Sequence, residues 1–426
     1  MLPLLIAHPF FPSRFLGQSG LQYPLSSSCL VGLSRICFST FEKGCKNRVI
    51  QFKMNTIMVR NFEILTKNEI IQARAQLKSW FISNQRPLPW RDSPDPYATW
   101  LCEIIMQQTR IDQGTRYWQS FIAKWPSFES LATADSEEIM KTWQGLGYYS
   151  RARNLHKAAK IVANDWRGDL PTSAKSWQQL PGVGPYTSAA IASICFGDPS
   201  AAIDGNALRV LSRWAGIHEP IDKPTGRKPI EKLAGEFLDI SDPGMHNQAV
   251  MELGALLCTP KAPNCEHCPL NENCKSRVEM VGQTPIAPVK AGKIKVRRVA
   301  LTFHVIVNEN KVLMRQRPSQ GIWGGLWEFP SCWIDSESDD LEKNQLPPLN
   351  NRQGLHETGP IVEPFEHILS HRKLKVTFQS WRSNAAFHEK DMKWFRWEDA
   401  RKLPIPRAIE KNWEELENSM PKQQFS

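Results

Sequence analysis

No apolar run in this sequence reaches the roughly 18 residues that a membrane-crossing helix needs, so nothing in it reads as a span. Cysteine is sparse. Ten in 426 residues, unevenly placed, cannot build the disulfide framework of a small secreted domain. Acids are almost missing from the first 60 residues, where Arg14, Arg35, Lys43, Lys46, Arg48, Lys53 and Arg60 face Glu42 alone. No positive charge precedes the apolar LPLLIA, which argues against a secretory signal. A start rich in Ser, with Arg and without acids, reads instead as a mitochondrial transit peptide. If translation begins at Met54 or Met58, the upstream residues are an over-long reading of the gene. The chain is therefore expected inside a cell, in mitochondrion or nucleus if the extension is genuine and in a bacterial cytoplasm if it is not. A monomer is the default expectation.

What is present points to a partner. Lys and Arg number 53 against 43 Asp and Glu, for a net charge of +10 and a pI near 9.1. Moderate basicity of this kind favours a polyanion, nucleic acid first. The length exceeds one ordinary core and predicts two domains plus tails. Residues 1–60 are expected to be a disordered extension. From 62 to 278 apolar residues recur at three and four, as in IIQARAQLKSWF, YWQSFIAKW and HNQAVMELGALLC, which predicts an all-α domain. Pro, Gly and Lys over 279–295 read as a linker. Over 296–418 the pattern changes: VALTFHVIVNENKVLMRQR reads as a hairpin around NEN, and KLKVTFQSW alternates as a strand. DSESDDLEKNQ reads as an acidic loop, and the chain closes on a helix near NWEEL. This second domain is expected to be α+β.

Four motifs carry chemistry. Cys258, Cys265, Cys268 and Cys274 are spaced C-x6-C-x2-C-x5-C, and four thiolates that close in sequence can surround one small inorganic centre. Zinc more often takes two tight arms around a longer finger, but the spacing alone leaves zinc and iron–sulfur both open. LPGVGPYT, residues 180–187, offers Gly182 and Gly184 for a tight turn, followed by a helix start whose N–H groups suit a phosphate. LCEIIMQQT, residues 101–109, sets Glu103 in an otherwise apolar run, where an ionised carboxylate is disfavoured. AIDGN supplies a second acid, Asp204, just before another helix.

Together these stretches resemble the HhH-GPD superfamily of DNA repair glycosylases. With WQGLGYYSRARNLHKAA added, they are similar to the MutY-type adenine glycosylase family. The resemblance implies a helix-hairpin-helix domain whose four cysteines hold a [4Fe-4S] cluster with a structural role, Lys261 in their loop meeting a phosphate. It implies double-stranded DNA with adenine opposite 8-oxoguanine or guanine as substrate, other repair proteins as possible partners, and no membrane. Leaving adenine needs a proton, and the cationic sugar needs a negative charge, by analogy with O-glycoside hydrolysis. The apolar surround of Glu103 would raise its pKa and make it the acid, and Asp204, at a polar helix start, would stay ionised and stabilise the sugar. Gln107, Gln108 and Tyr148 would enter the base stack as adenine flips out, and Gly182, Gly184, Tyr186 and Asn206 would bind DNA.

Bifunctional relatives carry a nucleophilic lysine where this chain has Tyr186, so base excision without efficient strand cleavage is expected. Pro185 stands where the family has Arg, and Leu208 where some bacterial members have Lys. The C-terminal stretch GGLWEFPS, residues 324–331, resembles the point where a Nudix fold turns from strand toward helix, but the glutamate-rich box that binds Mg²⁺ is missing. The resemblance therefore implies a Nudix-like domain for 8-oxoguanine recognition, with Ser370 hydrogen-bonding the oxidised base and His371 in support. Leu369 replaces the usual Phe before them. A thymine glycosylase would also accept Tyr186 but would lack this domain, and a nucleotide hydrolase would need the glutamate box.

Overall fold

The computed structural model describes residues 65–91, 95–278, 286–292, 296–335, 354–389 and 391–419. The expected N-terminal extension, most of the linker and the acidic loop from Ser336 onward lie outside them.

Small polar residues and prolines start the helices. Helix α1 (Lys67–Asn84) opens on a capping box between Thr66 and Glu69. Helix α2 (Pro96–Met106) has Pro at its first turn and Asp95 as cap, its carboxylate accepting from Ala98 N at 2.7 Å. There follow α3 (Ile111–Lys124), α4 (Phe128–Thr133), α5 (Ser136–Thr142), α6 (Ser150–Lys160), α7 (Ala174–Trp177) and α8 (Pro185–Phe196). Then come α9 (Gly205–Ala215), α10 (Pro224–Phe237), α11 (Pro243–Leu256) and the short α12 (Lys275–Val278). Helix α9 ends on Gly216 at φ 65°, a left-handed cap that suits glycine.

The helices share two cores. One gathers α2 to α8 around Trp100, Phe121, Trp143 and Trp177. The other joins α1 to α9, α10 and α11 around Leu77, Phe81, Trp214 and Phe237. Helix α2 belongs to the first core and α9 to the second, so anything between their ends lies at a seam.

Beyond the linker, β1 (Arg297–Asn308), β2 (Lys311–Gln316), β3 (Trp327–Glu328), β4 (Ser331–Asp335), β5 (Leu355–Ile368), β6 (Arg372–Ser383) and β7 (Met392–Arg396) form one mixed sheet. Its path is β3-β2-β1-β6-β5, with β4 pairing β1 and β7 pairing β2. The expected NEN hairpin is the β1–β2 turn, with Asn308 opposite Lys311. Strand β6 runs parallel to β1, Phe378 beside Phe303, their rings stacked at 5.2 Å. Helices α13 (Trp397–Ala400), α14 (Arg407–Glu410) and α15 (Trp413–Asn418) close this domain.

Two sequence expectations change. The stretch after Gly324 leads into strands β3 and β4, because Glu328 and Ser331 are needed inside the sheet. The Glu328 carboxylate is fully buried and accepts from Arg315 at 2.7 Å and Arg317 at 3.0 Å, and Ser331 donates to it at 2.8 Å. The linker is not a free tether where it is described. Ile221 N donates to Val289 O at 3.0 Å, Ala291 N to Asp222 at 2.8 Å, and Arg213 Nε to Ala287 O at 2.8 Å.

The sheet domain docks on the α5–α6 region, and one buried cluster runs through both. Lys141 Nζ donates to Arg401 O at 2.8 Å and Leu403 O at 2.9 Å, and Trp327 Nε1 donates to Glu137 at 3.0 Å. Arg153 donates to Gly324 O.

Candidate active site

Helix α2 is apolar nearly all round because it is buried nearly all round; Glu103 and Met106 are left to face a cavity of about 220 Å³. The start of α8 brings Tyr186 to the same cavity, and the start of α9 brings Asp204 and Asn206. Residues 83 to 103 positions beyond Glu103 in sequence thus join it around one small space at the seam of the two helical cores. The volume is below the roughly 300–1,000 Å³ of drug-sized sites and suits a single base.

The two acids differ in their partners. Burial pushes the Glu103 pKa up to about 7; hydrogen bonding to Tyr186 opposes this and the charge of Asp204 adds to it. No cation among the described residues pairs with Glu103. Asp204 caps α9, accepting from Ala207 N at 2.7 Å and from Asn206 Nδ2 at 2.8 Å. The sequence placed Asp204 at a polar turn. It caps that helix start but is half-buried, and burial raises its pKa too, with the Ala207 and Asn206 bonds pulling the other way. Of the two carboxyls, Asp204 has two donors that favour a negative charge and Glu103 has the Tyr186 hydroxyl.

Sequence reasoning missed the opposite wall. Glu252 of α11, 1% exposed, accepts from Arg86 Nε at 2.8 Å and Nη2 at 2.7 Å and from Arg91 Nη2 at 2.9 Å. All three residues line the cavity. Burial works to raise the Glu252 pKa, but the bonds from Arg86 and Arg91 bring it down to about 2. The signal was present: Glu252 sits in VMELGALL, an acid in an apolar run like Glu103.

The hairpin before α8 has Gly182 at φ 82°, in the left-handed region, with Asn154 against it at 3.0 Å from where a Cβ would sit. Gly184, the N-cap, is extended and needs no glycine on conformational grounds. No side chain caps α8, which leaves the first N–H groups after Pro185 without a side-chain acceptor at the cap. Gln107 caps the C-terminal end of α2 and donates to Thr187 Oγ1 at 3.2 Å and Gly182 O at 3.4 Å, tying the hairpin to the acid's helix. Gln108 is exposed at φ 56°. Tyr148, at φ 45° and 42% exposed, has its hydroxyl hydrogen-bonded to Ser370, 222 residues away. His371 is exposed, and its carbonyl accepts from Arg297 N at 3.0 Å. Leu369 is half-buried and packs against the large core. Leu208 packs on the α1–α9–α11 core.

Cys258, Cys265, Cys268 and Cys274 line a second cavity of about 30 Å³. Among the described residues no three His, Cys, Asp or Glu side chains are drawn close enough to hold a single ion. Arg213, 3% exposed, donates beside them to Thr259 O at 2.7 Å, Pro260 O at 2.8 Å and Cys258 Sγ at 3.4 Å. A buried guanidinium bonded to carbonyls and a thiol fits an anionic centre next to it. Arg209 Nε donates to Cys258 O at 2.7 Å and its Nη2 to Asn206 Oδ1 at 2.7 Å, so two side chains connect this loop to Asp204. Lys261 lies exposed in the same loop.

Comparison with known proteins agrees with this architecture. Residues 101–235 match the profile of the HhH-GPD superfamily base excision DNA repair proteins, and residues 302–415 that of the NUDIX domain. The adenine DNA glycosylase of Rattus norvegicus is 31% identical over 402 residues, covering 80% of this chain and 77% of its own. That of Schizosaccharomyces pombe is 30% identical over 400 residues, covering 78% and 87%. A solved thermostable thymine-DNA glycosylase aligns with 50% of this chain and 98% of its own, at 26% identity and a TM-score of 0.45. With two-thirds or more of such relatives covered at this identity, the chain belongs to the adenine DNA glycosylase family.

Proposed function

We propose that this DNA glycosylase of base excision repair removes adenine paired with 8-oxoguanine or guanine, leaving the strand uncut. One observation carries the reading: Glu103 and Asp204 line one base-sized cavity, Asp204 with donors from Ala207 N and Asn206 Nδ2, Glu103 with the Tyr186 hydroxyl alone. Glu103 donates its proton to the adenine as the glycosidic bond breaks, and once ionised it orients or activates water. Asp204 faces the cationic sugar and stabilises it. Tyr186, whose hydroxyl donates to Met251 Sδ at 3.3 Å, occupies the space from which an amine would attack. Gln107, Gln108 and Tyr148 replace stacking as the base leaves the duplex, and the hairpin N–H groups grip a phosphate. Ser370, with His371 beside it, reads the opposite base. The four cysteines hold a [4Fe-4S] cluster that folds their loop; it supplies structure and no step of the hydrolysis.

A single-turnover assay on duplexes with one A opposite 8-oxoguanine or G tests this. Strand breakage is expected only after hot alkali, and faster with 8-oxoguanine. Equal or absent reaction on both duplexes would remove the reading. Tyr186→Lys is expected to create a borohydride-trappable DNA adduct, since a lysine there lies beside both acids; no adduct from folded variant would take Tyr186 out of the nucleophile's position.

A further inference from the structure

We propose that Arg151 is a positioning residue that links Ser370 to Glu103 and so makes adenine removal depend on the opposite base. The inference rests on the function proposed above. Arg151 lies in the first turn of α6 and is 8% exposed. Its Nη1 donates to Ile104 O at 3.2 Å, Ile105 O at 2.8 Å, Gln107 O at 2.6 Å and Thr109 Oγ1 at 3.2 Å. Its Nη2 donates to Leu146 O at 3.1 Å and Gly147 O at 3.4 Å. No carboxylate among the described residues bonds to it. The guanidinium lies 5.0 Å from the Trp143 ring centre and 5.8 Å from that of Tyr148.

Each half of this fork holds a different functional piece. One nitrogen grips the carbonyls at the C-terminal end of α2, where the helix dipole favours a cation, and Glu103 stands one residue before the first of them. The other grips the turn that precedes Tyr148. That turn has Gly147 at φ 68° and Tyr148 at φ 45°, a left-handed path that a tyrosine adopts only when its surroundings hold it there. Tyr148 in turn bonds Ser370 across the domain boundary. The chain of contacts is therefore continuous: Ser370, the Tyr148 hydroxyl, the 146–148 turn, Arg151, the end of α2, Glu103. Burial without a counter-charge brings the Arg151 pKa down to about 10, so the cation is retained at neutral pH at a cost in desolvation. A side chain kept only for packing at this site would not need to be charged.

Arg151→Lys tests it. Lysine keeps the charge but has three donors on one atom and cannot span both carbonyl sets. Because a displacement of about 1 Å can cost roughly 10²-fold, the rate on A opposite 8-oxoguanine is expected to fall by at least about tenfold. The rate on A opposite G should fall far less, so the ratio between the substrates collapses. Ser370→Ala should lower the same ratio, and the double variant should be no worse than the deeper single one. Equal slowing on both substrates, or effects that multiply, would overturn the proposal and leave Arg151 a structural residue. Should Arg151→Lys not fold, Thr109→Val deletes one acceptor and is expected to show a smaller loss of the ratio with the same non-additivity; an unchanged ratio there would count against the proposal. A wild-type protein without any preference would be seen before substitution, and would remove the functional reading itself along with this one.

Discussion

Glu103→Gln will leave DNA binding intact and lower adenine excision by at least about 10³-fold, the range that general acid catalysis supplies. Gln keeps the shape and the neutral charge of the protonated acid but has no proton to give at this potency. Turnover within tenfold of wild type would take Glu103 out of the acid role. The wild-type rate has its own signature. With the Glu103 pKa near 7, excision should be level below neutrality and fall about tenfold per pH unit above it. The same shift has a stability consequence. The folded value is raised above the ordinary 4.5, so Glu103 contributes nothing unfavourable below pH 4.5, and stability is lost as pH climbs through about 7. Gln never ionises. The variant should therefore unfold later than wild type at pH 8, by something on the order of 3 kcal/mol, and equally at pH 4. Thermal melts at the two pH values check this; a variant less stable at pH 8 would mean that Glu103 is paired there with a cation.

Cys268→Ser will remove the broad visible absorbance of an iron–sulfur centre and weaken DNA binding by at least about tenfold, measured by iron content and a binding isotherm. The loop from Cys258 to Cys274 contributes one fully buried apolar side chain, Leu270, to the nearby core. That is too little apolar burial to order the loop unaided. Without an anionic centre Arg213 is also left as a buried cation beside half-buried, neutral thiols; desolvation pushes Cys268 up to about 12 and Cys274 to about 11. Loss of the loop should be felt in excision as well, since Cys258 O, Arg209 and Asn206 lead from it to Asp204. Full retention of DNA affinity in a cluster-free protein would show that the cysteines fold nothing the protein uses.

Much of this was readable in one dimension, for reasons that differ by motif. The helices of the first domain were legible because their apolar spacing repeats at three and four, and the β1–β2 turn because Glu309 and Asn310 break two β-rich runs. The hairpin at 180–187 was legible because only glycine suits the Gly182 backbone. Arg151 was not legible. It stands in SRARNLHKAA among other basic residues, and nothing in that stretch says which of them turns inward. Its partners are mostly main-chain carbonyls, which any sequence supplies, so only the approach of α6 to the end of α2 picks it out.

Three acids in apolar stretches mark the boundary between what sequence and tertiary structure decide. Glu103, Glu252 and Glu328 stand in LCEIIM, VMELGA and LWEFP, and by composition they are alike. The sequence by itself set each in an apolar run, where burial is favoured; in the fold Glu252 and Glu328 are buried and Glu103 is half-buried at the cavity. Sequence alone could not determine their charge. Folding brought Arg86 and Arg91 to Glu252, and Arg315 and Arg317 to Glu328, while Glu103 met Asp204 and Tyr186. A buried carboxyl ionises only where a cation or enough donors meet it, and those come from residues far away in the chain. So the sequence set acids in apolar runs, and the fold decided which of them meets a cation.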